Sequence, residues 1–146
     1  MFGSNKGIGE YARVGIETGV AAANPHKLIV MLYDGAIVAC RSAIMPMKEH
    51  DIAQKSALIS KAIMIIESGL RLSLDKKAGG EIAESLDALY AYMSNRLYIA
   101  NLKNQPELIE EVIKLLVDLK GSWEAIGQSA QTKSINPEPY YAVAGA

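Results

Sequence analysis

The feature that most constrains the fold is a series of four apolar-periodic segments joined by short connections. Each segment is about 22 residues long, which is roughly 33 Å as an α-helix. None shows the strict alternation of apolar and polar residues that a strand requires. Because short connections force consecutive helices to run antiparallel, the sequence predicts an all-α fold, an antiparallel up-down four-helix bundle with a mobile N-terminal arm.

The first two helices are delimited by residues typical of helix ends. The first is predicted to begin at Asn24 and Pro25, an N-cap followed by proline at the first helical position. It runs to about Pro46, which is expected to end or kink it. The second begins at Asp51, with a glutamine three residues later as in a capping box, and ends near Leu74.

The last two helices follow a turn and a cap. The segment Asp75–Gly80 (DKKAGG) has the composition of a turn, and the third helix continues from its end to about Leu102. In the fourth helix, Asn104 is predicted to be the N-cap and Pro106 to lie in the first turn. This helix is expected to end near Gln128.

The ends of the chain differ in composition from the bundle. Residues 1–20 carry five glycines, so we expect a mobile N-terminal arm in which Tyr11 is one of a few apolar contact points. Residues 21–130 form the predicted bundle. Residues 131–146 contain two prolines and no helical period, which indicates a flexible C-terminal tail.

Composition and charge exclude several classes of partner. With 146 residues the chain has the length of one domain, and its 15 basic and 16 acidic residues give no field that would attract nucleic acid or an anionic membrane. The apolar run LIVMLYDGAIVAC is interrupted by Asp34 and is too short to span a bilayer. The N-terminus lacks a secretory signal, and the single cysteine permits a reducing compartment. We expect a cytosolic protein without membrane insertion.

No pattern of catalytic or metal-binding residues is present in the sequence. The chain has two histidines, one cysteine (Cys40) and no Glu-x-x-His, so neither a dimetal bundle site nor a closed zinc site can be assembled. His26 at the start of the first helix is expected to be solvated, and Trp123 to be a packing residue. The sequence predicts a protein that is not an enzyme and that binds no cofactor and no metal.

The apolar stripes of the two central helices are wider than one core face requires. The second helix has a core stripe and, beside it, a second stripe that includes Leu58, Ile65 and Leu72. The third helix has a predicted core stripe made of Ile82, Leu86, Leu89, Tyr90, Met93 and Leu97. On its far side lie Tyr92, Asn95 and Ile99, flanked by Tyr98 and Leu102. The fourth helix has one stripe, from Leu108 and Val112 to Trp123 and Ile126, and no surplus.

Two interpretations of this surplus remain open. The second helix can touch two neighbours, and the tyrosines of the third helix can be covered by a homodimer or by the N-terminal arm. Alternatively, the surplus surface is a groove for an amphipathic partner segment. Tyrosines are suited to such an interface because each joins a large ring to a polar tip.

Four blocks of residues resemble, in order and spacing, the signature blocks of the FliS family of flagellin chaperones. These blocks are NPHKLIVMLYDGA (Asn24–Ala36), SKAIMIIESGL (Ser60–Leu70), GGEIAESLDALYAYM (Gly79–Met93) and RLYIANL (Arg96–Leu102). The likeness also includes Tyr11 and Trp123, and it covers about residues 10–127. The chain departs from the family pattern at Ala91, Asn95 and Gln105-Pro106, so no polar contact with flagellin is carried over from the family.

The resemblance implies an all-helical cytosolic export chaperone. Members of the family bind the disordered C-terminal segment of flagellin, prevent premature polymerisation and deliver flagellin to the flagellar type III export gate. The client wraps around the bundle in apolar grooves, and the N-terminal arm can cover part of that surface. The alternative is a non-catalytic helical adaptor that binds folded flagellar partners, such as a flagellar regulator, or a second copy of itself.

The candidate partner-binding residues follow from both arguments. By position, the resemblance assigns Tyr11 to the arm, and the stripes assign the others to the groove. The full set is Tyr11, Leu58, Ile65, Leu72, Tyr92, Asn95, Tyr98 and Ile99.

Overall fold

The computed structural model describes residues 24–133, and the side chains of 24–127. Four helices occupy this part of the chain: α1 (Pro25–Lys48), α2 (Ile52–Met64, continued by a π-helical segment at Ile65–Arg71), α3 (Lys76–Lys103) and α4 (Pro106–Lys133). No strand occurs within it. The all-α prediction is confirmed. The expected mobile arm with Tyr11, and residues 134–146 of the expected tail, lie outside the described residues.

The helices form a closed ring in which each packs on two neighbours. α1 and α3 each pack on α2 and α4, and therefore lie diagonally across the bundle. α1 and α2 are antiparallel, since Leu32 contacts Gly69 whereas Gly35, further along α1, contacts the earlier residue Ile65.

The other pairs show the same antiparallel order. Between α2 and α3, Ser56 bonds to Asn101, whereas a residue further along α2, Arg71, bonds to Asp87 near the start of α3. Between α1 and α4, His26 stacks on Trp123 and Asp34 pairs with Lys120. Only two residues separate α3 from α4. The antiparallel up-down arrangement predicted from the short connections is therefore present.

The start of α1 agrees with the sequence prediction, and its end lies slightly beyond it. The Oδ1 atom of Asn24 accepts hydrogen bonds from the backbone N–H groups of His26 and Lys27, and proline occupies the first helical position. Pro46 does not end the helix, which continues to Lys48. The reason is that a proline this close to the C-terminus removes a single helical N–H, while the residues after it still bond to earlier carbonyls.

α2 begins as predicted but changes its geometry half-way. Oδ1 of Asp51 accepts from the N–H of Gln54, while the N–H of Asp51 donates to the carbonyl of Pro46, so only half of a capping box forms. From Ile65 onward the helix widens to π geometry. There Gly69 lies so close to Leu32 that an added Cβ would be 3.0 Å from the leucine Cδ2. The sequence period alone did not predict this wider turn.

Two boundary assignments around α3 are wrong. Part of the expected turn is helical from Lys76, capped by Asp75, and the chain then kinks at Gly80, whose φ of 56° favours glycine. Asn104 is not the N-cap of α4: it adopts left-handed geometry and ends α3. Its side chain accepts from Nζ of Lys55 and donates to the carbonyl of Met47, because this position faces two other helices.

The core contains residues from all four helices, including a bond across the diagonal. The hydroxyl groups of Tyr33 on α1 and Tyr90 on α3 are 2.6 Å apart and buried. Met93 and Leu97 are buried as predicted, but Ile82 is 67 % exposed because it lies just after the kink at the end of the bundle.

On α4 the buried face differs from the predicted stripe. Leu108 and Val112 are buried as expected, and so are Ile109 and Leu116, which the stripe omitted. Ile126, which the stripe included, is exposed. The prediction that α4 has no surplus apolar surface is therefore wrong.

Candidate functional site

The second stripe of α2 faces α1. Ile65 is buried there, with its Cδ1 atom 3.3 Å from the Cβ position of Gly35. Leu58, seven residues earlier on the same face, is half-buried and packs against the core. Leu72, just after the π-helical segment, is exposed. Only the end of this stripe therefore offers free apolar surface.

Tyr92 faces the opposite neighbour, α4. Its hydroxyl donates to Glu111, and the guanidinium of Arg96, which donates to the same carboxylate, lies 5.6 Å from the centre of the tyrosine ring. The hydrogen bond from Tyr92, followed by that from Arg96, holds the pKa of Glu111 below its ordinary value. The ring of Tyr92 is partly exposed but its polar tip is already bound within the chain.

Asn95, Tyr98 and Leu102 form the outward strip of α3. Tyr98 is 61 % and Leu102 70 % exposed, and Asn95 is also exposed. Their spacing of three and then four residues places them along one face of the helix. Ile99 is half-buried and packs against the core. This strip, which we call the α3 strip, exposes two large apolar side chains.

A polar seam separates the two predicted stripes. Arg71 of α2 donates to Glu67 on its own helix and to Asp87 of α3, at 2.9 and 2.6 Å, and Lys76 also pairs with Asp87. Ser94 donates to the second oxygen of Glu67. This seam is not predicted by the apolar pattern of the sequence. Since the α2 stripe faces α1 and Tyr92 faces α4, the candidate residues lie on different sides of the bundle and do not line one groove.

A cavity of about 320 Å³ opens at the end of the bundle where α1 begins and α2 ends. We call it the end cavity. The residues that line it are Pro25, His26, Ile29, Tyr33, Leu70, Ser73, Leu74, Leu86, Tyr90 and Trp123. The walls are mostly apolar, and the Tyr33–Tyr90 hydroxyl pair lies at its inner end, two helical turns beyond Pro25. The sequence analysis did not predict this cavity.

His26 and Trp123 form one side of the end cavity. Their rings are stacked, with centroids 5.2 Å apart, and the indole N–H donates to the carbonyl of His26. A Cβ atom on Gly127 would overlap Nε2 of the imidazole, so the ring lies directly against the backbone of α4. The expectation that His26 is simply solvated is wrong, because the helix pairing brings an aromatic partner to it.

Reactive and metal-binding groups are not assembled in the described part of the chain. It contains no group of three or more His, Cys, Asp or Glu side chains that could hold a metal ion. Burial raises the pKa of the Cys40 thiol to about 12, so the thiolate form is disfavoured.

α1 meets the requirements of length and apolar composition for a membrane span. The prediction of a run too short to span a bilayer applies only to the central part of this helix. Composition alone does not distinguish a span from the core helix of a soluble bundle, and α1 supplies a large share of the core here.

Comparison with known proteins gives a consistent result. A family model described as "Flagellar protein FliS" matches residues 7–130. The chain is 45 % identical over 124 residues to a flagellar secretion chaperone FliS of Salmonella typhimurium, covering 85 % of this chain and 92 % of that protein. It is 44 % identical over 121 residues to the chaperone FliSB of Pseudomonas aeruginosa, covering 83 % and 95 %. It is 32 % identical over 113 residues to FliS of Bacillus subtilis, covering 77 % and 83 %.

The matches span the bundle and the four sequence blocks that first suggested the likeness. The chain therefore belongs to the FliS family of flagellar secretion chaperones, which are not enzymes.

Proposed function

We propose that this chaperone binds the disordered C-terminal segment of flagellin in the cytosol, prevents its premature polymerisation and delivers it to the flagellar type III export gate. The observation that carries the proposal is the exposure of large apolar side chains on several helices of the bundle, outside its buried core. Adjacent exposed apolar side chains mark binding sites for partners, and Tyr98 and Leu102 are neighbours on one face of α3.

The distribution of these side chains favours an unfolded client. They lie on at least three helices and not in one patch: Val38 and Met45 on α1, Leu72 after α2, and Tyr98 and Leu102 on α3. A folded partner needs one continuous complementary face, whereas an extended chain can follow separate strips around the bundle. We therefore prefer a disordered client to a folded adaptor partner.

The candidate residues take different places in this proposal. Leu72 and the α3 strip would contact the client directly, and Leu58 and Ile99 would form the sides of its grooves. Tyr92 would offer its ring while its hydroxyl stays on Glu111. Ile65 would support the surface from the core, since it is buried. Tyr11 stays a candidate contact of the arm.

Calorimetry with a synthetic C-terminal flagellin peptide from the same organism tests the proposal. We expect one peptide per chain and a large negative heat-capacity change, because the peptide buries apolar surface as it orders. A peptide of scrambled sequence is the control. Binding only to a folded flagellar regulator, with none to the flagellin peptide, would favour the adaptor instead. A concentration-dependent melting temperature of the free chain would show that the strips join two copies.

A further inference from the structure

The end cavity has room for a small aromatic molecule. An apolar cavity of about 150 Å³ already accepts benzene, and the end cavity measures about 320 Å³. Its walls are formed largely by Ile29, Leu70, Leu74, Leu86 and Trp123. Among the described residues that line it, none is an Asp, Glu, Lys or Arg. A neutral, mostly apolar molecule therefore suits the cavity better than an ion.

One proton at the inner end of the cavity has no acceptor. Tyr33 and Tyr90 are each 2 % exposed, and both line the cavity. Their hydroxyls carry two protons, and the hydrogen bond between them uses one. In the part of the chain that the structure describes, the other proton forms no hydrogen bond. Burial raises the pKa of both tyrosines, so both hydroxyls keep their protons at neutral pH.

Two neighbouring donors of the lining are already used. The indole N–H of Trp123 donates to the carbonyl of His26, and the hydroxyl of Ser73 donates to the carbonyl of Gly69. The spare proton of the tyrosine pair therefore stands out among these donors. Because a buried donor is stabilised when it finds an acceptor, the pair favours a ligand with an oxygen.

The tyrosine pair can also accept a hydrogen bond. Each hydroxyl oxygen has two lone pairs, and the Tyr33–Tyr90 bond occupies only one of the four. A ligand hydroxyl can therefore accept the spare proton and donate its own proton back, whereas a ketone or an ether can only accept. On an aromatic ring, this hydroxyl gives a molecule with an apolar body for the walls and a polar tip for the inner end. That molecule is a phenol.

We infer that the end cavity is a binding site for a small neutral phenol, whose ring lies between the apolar walls and whose hydroxyl bonds to the Tyr33–Tyr90 pair. No residue of the α3 strip lines this cavity. The inference therefore does not rest on flagellin binding, and its test uses no flagellin.

Calorimetric titration of the full-length chain with p-cresol and with toluene tests the inference. Toluene has the same ring and methyl group but no hydroxyl. We expect one p-cresol per chain, bound about fivefold more tightly than toluene, which corresponds to about one net hydrogen bond. A saturable change in the emission of Trp123, the only tryptophan, should accompany binding because this residue lines the cavity.

The variant Y33F/Y90F identifies the partner of the ligand hydroxyl. It keeps both rings and removes both hydroxyls, so we expect the preference for p-cresol to disappear while toluene still binds. Replacing both partners of a buried hydrogen bond by apolar groups of the same shape is close to neutral for folding, which a melting curve checks. Y98F is the matched control, because it removes an exposed hydroxyl of α3 outside the cavity and should keep the preference.

Three results would overturn the inference. The first is no saturable binding of p-cresol to the wild-type chain. The second is equal affinity for toluene and p-cresol, which would make the cavity a general apolar site. The third is a preference for p-cresol that persists in Y33F/Y90F, because the hydroxyl would then bond elsewhere.

Discussion

Gly127 lies against the imidazole of His26, which in turn stacks on Trp123. Glycine inside a helix normally costs about 1 kcal/mol relative to alanine. Here the missing side chain allows the aromatic pair to join α1 to α4. The stack contributes about 0.5–1.5 kcal/mol, so the two effects are of similar size and the arrangement is close to balanced.

The first prediction follows from this balance. Gly127→Ala in the wild type should give little net change in stability, because the gain in helix propensity is offset by displacement of the His26 ring. In a His26→Ala background the same substitution should stabilise the protein by about 0.5–1 kcal/mol. Urea unfolding of the four proteins measures the coupling, and an identical effect of Gly127→Ala in both backgrounds would contradict it.

Lys55 is a buried charge whose role depends on tertiary structure. Its ammonium donates to the carbonyl of Asn101 and to Oδ1 of Asn104, so it caps the carboxyl end of α3, where a cation is favoured.

The assignment of Asn24 as a cap was correct because its partners are two and three residues away. The assignment of Asn104 was wrong because asparagine suits both ends of a helix, and its partners lie on other helices.

We expect Lys55→Met to lower the free energy of unfolding by about 1–3 kcal/mol, since two acceptors lose a charged donor. Removal of a buried charge offsets part of that loss. Lys61→Met on the exposed face of the same helix is the matched control and should change stability by less than about 0.5 kcal/mol. Equal effects of the two substitutions in urea unfolding would mean that the cap contributes nothing.

Between elements, the polar seam joins α2 to α3. Arg71 and Lys76 converge on Asp87, and their hydrogen bonds hold the pKa of this carboxyl below its ordinary value. Sequence reasoning could predict that α2 and α3 are neighbours. The seam could not be predicted, because it depends on the register of one helix against the other. It also depends on the change in side-chain direction that the π-helical segment produces.

The third prediction concerns the pH dependence of this seam. Because the pKa of Asp87 is lower in the folded state, its stabilising effect is complete above the unfolded-state pKa of about 3.9. The effect is lost as the pH falls through the lower folded-state value. Asp87→Asn should therefore lower stability at pH 7, by up to about 1 kcal/mol for a partly exposed pair. The difference from wild type should shrink as the pH falls below about 3.9, and a pH-independent difference in melting temperature would contradict the assignment.

The two faces of α3 give a fourth prediction from adjacent residues. Leu97 is buried and Tyr98 is 61 % exposed. Leu97→Ala should cost about 2–5 kcal/mol of stability through lost burial and a residual cavity. Tyr98→Ala should melt almost normally and weaken flagellin-peptide binding by about 1 kcal/mol or more.

Melting curves and calorimetry on the same two α3 variants separate these effects. A dilution series excludes a homodimer as the cause of any change at Tyr98. If Tyr98→Ala unfolds the protein as severely as Leu97→Ala, the α3 strip is not a free surface.

At the scale of the whole molecule, the fold was more predictable than the site. Helix number, order and direction depend on local caps, apolar period and short connections, all of which can be read along the chain. The site depends on which side of each helix faces a neighbour. The second stripe of α2 is largely buried, with Ile65 packed against α1, and Tyr92 of α3 is directed to α4. The proposed disordered client would therefore pass around the bundle and would not lie in a single groove.

The fifth prediction concerns the N-terminal arm. If residues 1–20 cover part of the client surface, deleting them removes a competitor, and the flagellin peptide should associate faster or bind more tightly. Stopped-flow mixing with a labelled peptide measures the rate, and calorimetry measures the affinity. The variant Y98A should remain weakened in the deleted chain, because its effect is direct.

Tyr11→Ala in the full-length chain distinguishes cover from contact. If Tyr11 holds the arm on the client surface, the substitution should reproduce the faster association of the deletion, because the competitor is released. If Tyr11 also contacts the client, dissociation should accelerate and the affinity should fall. Rates and affinity that match the wild type in both the deletion and the Tyr11→Ala variant would show that the arm neither covers nor contacts the client surface.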